Sequence, residues 1–277
     1  MKRILLATAV FCLPFAASAQ FGMTMNYTFS APQGMMAKSL NNAHGFGMDY
    51  YYTPKRLPIS VGLTFAYNAY GMHTRDFVFN ATDGSQINTT LSVNNSFINT
   101  GMYLRYAFAP AEARLIPYAD VRLGGAFYNT NLVIADPADT DNCRPLVNDL
   151  LQKDKALTGY VGGGLDYRLT NLNNTCGNSI SYLFLSVGMH MGGPVSYMNV
   201  DKDLDPNAQP QQNSTPHNHG AGESKNGRDP IYADFINTQT QVVHAHHVGY
   251  VYTAPIQLLE CKIGLRILFT GDCKFRL

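Results

Sequence analysis

Large apolar or aromatic residues alternate with small or polar ones along most of the chain, the signature of strands with two unlike faces. Eight segments carry this period. In the first, Phe21, Met23, Met25, Tyr27 and Phe29 stand against Gly22, Thr24, Asn26 and Thr28; in the second, Phe46, Met48, Tyr50 and Tyr52 against Gly47, Asp49 and Tyr51. The third sets Val61, Leu63, Phe65 and Tyr67 against Gly62, Thr64, Ala66 and Asn68, and the fourth Ile98, Met102, Leu104 and Tyr106 against Asn99, Gly101, Tyr103 and Arg105. The fifth runs around Val121 and Leu123, the sixth from Leu157 to Tyr167, and the seventh from Tyr182 to Gly192. The last is the most regular, with Leu259, Cys261, Ile263, Leu265, Ile267 and Phe269 against Glu260, Lys262, Gly264 and Arg266.

The connections alternate in length. Those after segments two, four and six are short (54–58, 109–116 and 170–179), whereas those after one, three, five and seven are longer and polar, the longest spanning about 199–241. An even number of strands with tight turns at one end and long loops at the other predicts an all-β fold. It is an eight-stranded antiparallel, up-and-down transmembrane β-barrel with short periplasmic turns and long extracellular loops. A soluble lipocalin-type barrel shares the period but turns its apolar face inward. The polar face favours the membrane arrangement. It carries Asp49, Arg105, Asp120, Arg122, Asp166, Arg168, Glu260, Lys262 and Arg266, interspersed with Gly47, Gly62, Gly101, Gly124, Gly162, Gly164 and Gly264. Glycine covers nothing on a solvent-facing strand, but inside a narrow barrel it makes room for long neighbours. Four acids and five bases then form a lumen network of ion pairs rather than a wide channel, because unpaired buried charge is costly. Tyr27, Tyr50, Tyr52, Tyr67, Tyr106 and Tyr167 fall towards strand ends on the apolar face, where a ring meets lipid and its hydroxyl meets headgroups.

The first 19 residues change the picture of where the chain goes. Lys2 and Arg3, the apolar stretch from Ile4 to Phe15 and the small residues Ala17-Ser18-Ala19 predict a cleaved signal peptide over 1–19, with the barrel over 20–277. Charged residues make up 14% of the 277, and no later apolar run is long enough for a membrane helix. The formal net charge of +1 gives no reason to propose nucleic acid as a partner.

With its leader, the strand beginning at Phe21, the eight amphipathic segments and the last strand over 256–269, the chain resembles the small outer-membrane β-barrel proteins of Gram-negative bacteria. The likeness is closest to the barrel-domain group common in Bacteroidota, akin in architecture to the OmpX, OmpW and OmpA barrels. It implies a chain integral to the cell outer membrane, in contact with its lipid and lipopolysaccharide and delivered by the barrel-assembly machinery. The role it implies is structural or surface-interacting, with the ligand of the external loops unspecified. The alternatives are a narrow channel or transporter for small hydrophobic molecules or ions and, less favoured, an envelope enzyme or the lipocalin-like binder. One departure is that Phe269 is followed by eight further residues, whereas such barrels often end on an aromatic.

Catalytic residues are not expected. Ser186 and His190 share a face, but four residues at about 3.3 Å each hold them roughly 13 Å apart. Asp201-Lys202-Asp203-Leu204-Asp205 begins like a calcium loop, yet Pro206 stands where glycine is needed. Cys176 and Cys273 both fall on the short-turn side, which predicts a disulfide between them. The barrel itself needs no cofactor, but His217, His219, His244 and His246 form a weak external site for a divalent metal such as Zn²⁺. Calorimetry with Zn²⁺ on the refolded protein is expected to give binding heat that a variant lacking these four histidines does not; equal heats from the two would overturn the site.

Overall fold

The computed structural model describes residues 19–54, 57–80, 84–110, 113–138, 145–170, 179–198, 228–237 and 242–269. The strands are β1 (Ala19–Pro32), β2 (Ala43–Pro54), β3 (Ile59–Asn80), β4 (Gln86–Ala107), β5 (Leu115–Ile134), β6 (Val147–Arg168), β7 (Ser179–Met198), β8 (Arg228–Asn237) and β9 (Val242–Phe269). Every pairing is antiparallel, in the order β1 to β7, then β9 and β8. A further β1–β9 ladder, from Phe21↔Phe269 to Pro32↔Leu258, closes eight of the strands into a barrel. A closed ladder ring satisfies every backbone donor and acceptor at membrane depth, which is the condition for crossing lipid with strands.

The outer face of the barrel is apolar. Phe21, Leu63, Met102, Leu123 and Leu157 expose 61%, 60%, 69%, 64% and 72% of their surface, an arrangement that suits lipid and not water. The tyrosines expected at the strand ends lie on this face, with Tyr27, Tyr50, Tyr67, Tyr106 and Tyr167 all exposed. Cys261, a free thiol, alternates with the inward-facing Glu260 and Lys262 and so belongs to this face too.

Closure depends on glycine where two backbones meet. A Cβ on Gly264 of β9 would overlap the Met25 carbonyl and come within 2.7 Å of the Asn26 Cα, both on β1. The same holds between β4 and β5, where Gly101 and Gly124 face each other and a Cβ on either would sit 2.6–2.8 Å from the other's Cα.

The far end differs from the expected long loops. β3 and β4 have 22 residues each and pair as far as Asn80↔Gln86, so most of the connection expected after the third segment is a continuous antiparallel ladder. At about 3.3 Å per residue these strands run roughly 70 Å, about twice what a tilted strand needs to cross the hydrocarbon. The expected loop over 199–241 likewise contains β8, which pairs with the outer half of β9 from Arg228↔Tyr252 to Asn237↔Val242. Strand pairing continues there because backbone groups beyond the bilayer still gain from a ladder. Sheet thus replaces expected loop over 86–97 and over 228–237, whereas the β1–β2 connection holds a 3-10 turn. The expected leader up to residue 18, His217, His219, Cys176 and Cys273 lie outside the described residues.

Candidate functional site

Side chains facing the lumen stack in three layers. Nearest the end that carries the short turns, Tyr51, Tyr103, Tyr182, Ile116 and Leu268 pack together. At the other end Tyr70, Phe97, Tyr128, Val195, Tyr197 and Ile256 form a second apolar layer, with the Phe97 and Tyr128 rings stacked at 4.9 Å. The β1–β2 connection folds into that mouth: a 3-10 turn at Met36–Lys38 buries Met36 and Leu40 in the layer, and Ser39 Oγ hydrogen-bonds the Tyr197 hydroxyl at 2.6 Å. Between the two lies the charge.

The charged layer consists of three groups. Asp166 serves two guanidiniums, bonding Arg266 Nη1 directly and lying 3.7 Å from Arg105 Nη1. Arg122 serves two carboxylates, at 2.9 Å from Asp120 Oδ2 and 3.8 Å from Asp49 Oδ1. Lys262 Nζ meets Glu260 Oε1 at 2.5 Å, while His190 Nδ1 lies 3.6 Å from the other oxygen of Glu260. With His190 neutral, the formal charges are +1, −1 and 0, which cancel across the layer. No side chain in these pairs is more than 8% exposed. Arg168, the ninth expected member, differs. It is half-buried next to Tyr182 at the turn end, because one more residue pair along β6 brings the strand out of the lumen.

Tyrosine rings supply what the carboxylates do not. The Arg105 guanidinium lies 3.8 Å from the Tyr118 ring centre, Arg122 4.7 Å from Tyr160, and Arg266 4.6 Å from Tyr51. Desolvated contacts of this kind are worth about 2 kcal/mol each. Arg105 depends on them most, since none of its three guanidinium nitrogens makes a hydrogen bond. The local sequence explains how such large rings lie flat inside a narrow barrel. A Cβ on Gly22 would strike Tyr51, one on Gly164 would come within 2.6 Å of the Tyr118 hydroxyl, and ones on Gly162 and Gly188 would strike Tyr160. The glycines of the polar face are thus seats for tyrosines, which in turn carry the cations. The glycines, the charges and the polar-face position of Tyr160 are legible in the sequence; which glycine seats which tyrosine is not, because that depends on the register between strands.

Ser186 and His190 engage different partners, Ser186 Oγ lying 3.2 Å from the Tyr160 hydroxyl and His190 beside Glu260 and Asn99. His244 and His246 lie in β9, with Phe235 and Ala233 of β8 as their register partners. A cavity of about 20 Å³ lies among Arg122, Tyr160, His190, Glu260 and Lys262, room for about one water.

Removing the shared carboxylate with Asp166→Asn leaves two buried guanidiniums without their counter-charge and is expected to cost about 3–5 kcal/mol. Arg168→Gln, at the half-buried edge, is expected to cost about 1 kcal/mol or less. Urea unfolding in lipid vesicles measures both, and equal losses would contradict the distinction between the layer and its edge.

Comparison with known proteins agrees with this architecture. The model of a family described as "Outer membrane protein beta-barrel domain" matches residues 4–209. Among solved structures, a major outer membrane protein from Thermus thermophilus is 11% identical, with 91% of this chain and 100% of that one covered and a TM-score of 0.39. The N-terminal β-barrel domain of Pseudomonas aeruginosa OprF is 10% identical, with 90% and 97% covered and a TM-score of 0.29. Ail, the attachment invasion locus protein of Yersinia pestis, solved with the heparin analogue sucrose octasulfate, is 9% identical with the same coverages and TM-score. No curated protein matches significantly in sequence. With well over half of its length matched by the family model and its eight strands closed into an antiparallel ring, the chain belongs to the outer membrane protein β-barrel domain family.

Proposed function

We propose that this outer-membrane barrel has a structural or surface-interaction role and displays its far-end sheets from a plugged lumen. The observation that carries the reading is the interior stack of aromatic, charged and aromatic layers, in which the charged layer has space for about one water. A barrel built for diffusion keeps a water-filled bore, whereas this one spends its lumen on packing and on neutralised ion pairs. The turn end faces the periplasm and the extended strands face outward, in keeping with short periplasmic turns in such barrels. Catalysis has no assigned residue in this reading, and the external histidines are an accessory metal site at most.

A second reading, passage of small hydrophobic molecules, draws on the seam between β6 and β7. Their ladder stops at Thr158↔Gly192, although β6 extends to Val147 and β7 to Met198. On the other side of β7 the ladder with β9 skips from Met191↔Gln257 to Pro194↔Pro255, a rung where neither residue has an N–H to donate. The Ser196 N–H bonded to Asp154 Oδ2 at 2.7 Å bridges the seam above this point.

Planar-bilayer recording separates the readings for ions. The purified barrel is expected to give no discrete openings at neutral pH; regular single-channel steps would overturn the plugged-lumen reading in favour of a channel. Uptake of an apolar dye by proteoliposomes, abolished when Asp154→Cys and Ser196→Cys are cross-linked across the seam, would favour the second reading.

A further inference from the structure

The short-turn mouth of the barrel holds a cavity of about 440 Å³, a size that suits small-molecule sites. Its walls are of two kinds. Leu57, Pro58, Phe108, Pro110, Ile116 and Leu268 make an apolar side, while Ser60, Thr53, Tyr182 and Arg266 bring polar groups to the lumen side. Tyr106 and Phe108, which also line it, expose 46% and 64% of their surface on the membrane side of the barrel. The cavity therefore runs from the interior charge to the edge of the lipid-facing belt, a path an alkyl chain can follow.

The charge at its inner wall is not balanced locally. Among the described residues, Asp166 is the carboxylate shared by Arg105 and Arg266, so this group carries +1. The compensating −1, on Asp49, Arg122 and Asp120, sits deeper: Arg122 lines the inner cavity with Glu260 and Lys262, while Arg266 alone of the ion-paired residues lines the mouth. Arg266 is also pre-oriented. Its Nε bonds the Tyr51 hydroxyl at 3.0 Å and its Nη2 bonds Ser60 Oγ at 3.3 Å, so the guanidinium is fixed while its edge reaches the cavity.

We propose that this vestibule is a binding site for an amphiphilic anion, a phosphate or carboxylate head on an alkyl chain, with the head at Arg266 and Ser60 and the chain along Leu57, Pro58 and Phe108. A guanidinium held in place by other partners gives a charged oxygen head a strong, oriented hydrogen bond without a large ordering cost. The apolar wall adds affinity in proportion to the chain it covers. Membrane lipid and a soluble short-chain acid share this chemistry.

The chain contains no tryptophan, so Leu57→Trp in phosphatidylcholine nanodiscs gives a single emission reporter on the cavity wall. Octyl phosphate is expected to shift its emission saturably, at a concentration at least about tenfold below that needed for octyltrimethylammonium or for inorganic phosphate. Adding Ala109→Glu at the cavity edge is expected to weaken octyl phosphate binding roughly tenfold by like-charge repulsion in a partly screened site, while Ala109→Gln leaves it unchanged. Gel migration without heating, compact as for the parent, shows that each variant has folded. Equal responses to the anionic and cationic amphiphiles, or equal binding by the Glu and Gln variants, would overturn the proposal. Competition by phosphatidic acid built into the discs would identify membrane lipid as the source of the ligand, and its absence a soluble anion; either result keeps the site.

Discussion

Closing eight strands into a ring leaves a lumen too narrow to hydrate the charges placed in it, and the rest of the interior is organised by that constraint. Each inward-facing cation must find its stabilisation within a few ångströms, from a carboxylate or from a ring face. Asp166 and Arg122 each serve two partners of opposite sign, so that a group with one surplus positive charge is offset by one with a surplus negative charge. Tyr51, Tyr118 and Tyr160 provide the ring faces, and they lie flat because Gly22, Gly162, Gly164 and Gly188 offer no Cβ beneath them. Glycine, tyrosine and arginine act here as one unit distributed over neighbouring strands. The geometry of that unit also fills the bore: with the charges paired and the rings stacked, the charged layer keeps room for about one water.

Beyond the bilayer the chain keeps the strands and changes the solvent. In β4 the residues facing the membrane from Tyr106 to Ile98 are apolar apart from Thr100, and those facing inward include Arg105 and Asn99. Past the membrane the inward positions become Leu91 and Val93, which cluster with Leu132 and Ile134 of β5, while the outward positions become Asn94, Ser92 and Thr90. Water has replaced lipid outside, so the apolar side moves inside. This inversion lets one continuous sheet serve as a membrane wall in one half and a surface scaffold in the other. The same ladder that walls the bore therefore continues past the membrane without a break in β4.

That inversion also accounts for which parts of the fold were legible in the sequence. A period of two marks a strand, and where lipid lies on one side it assigns the faces as well, which is why the eight wall segments stand as read and why Asp49, Arg105, Asp120, Arg122, Asp166, Glu260, Lys262 and Arg266 have buried side chains, with Arg168 half-buried. The far-end extensions were hidden because the period persists while the polarity of each face reverses, so Gln86 to Phe97 reads as a polar connection. Extra residues obscure it further: the β3–β4 register slips at Tyr70 and the β7–β9 register slips between Met191 and Pro194, each shifting the parity of the residues beyond it. The strand over 228–237 gave no comparable signal within a long polar stretch. The mouth vestibule was invisible too, being formed by turns from separate parts of the chain.

The claim on which this account turns is that the lumen tolerates charge only when it is neutralised nearby. Exchanging a pair on one strand tests it most directly, because Glu260 and Lys262 face the same side two residues apart. The account predicts that Glu260→Lys alone, which gathers like charges around Arg122, loses several kcal/mol of urea stability in vesicles or fails to reach the compact, heat-modifiable form. It also predicts that the double exchange, Glu260→Lys with Lys262→Glu, recovers most of that loss. A single Glu260→Lys variant as stable as the parent would contradict it.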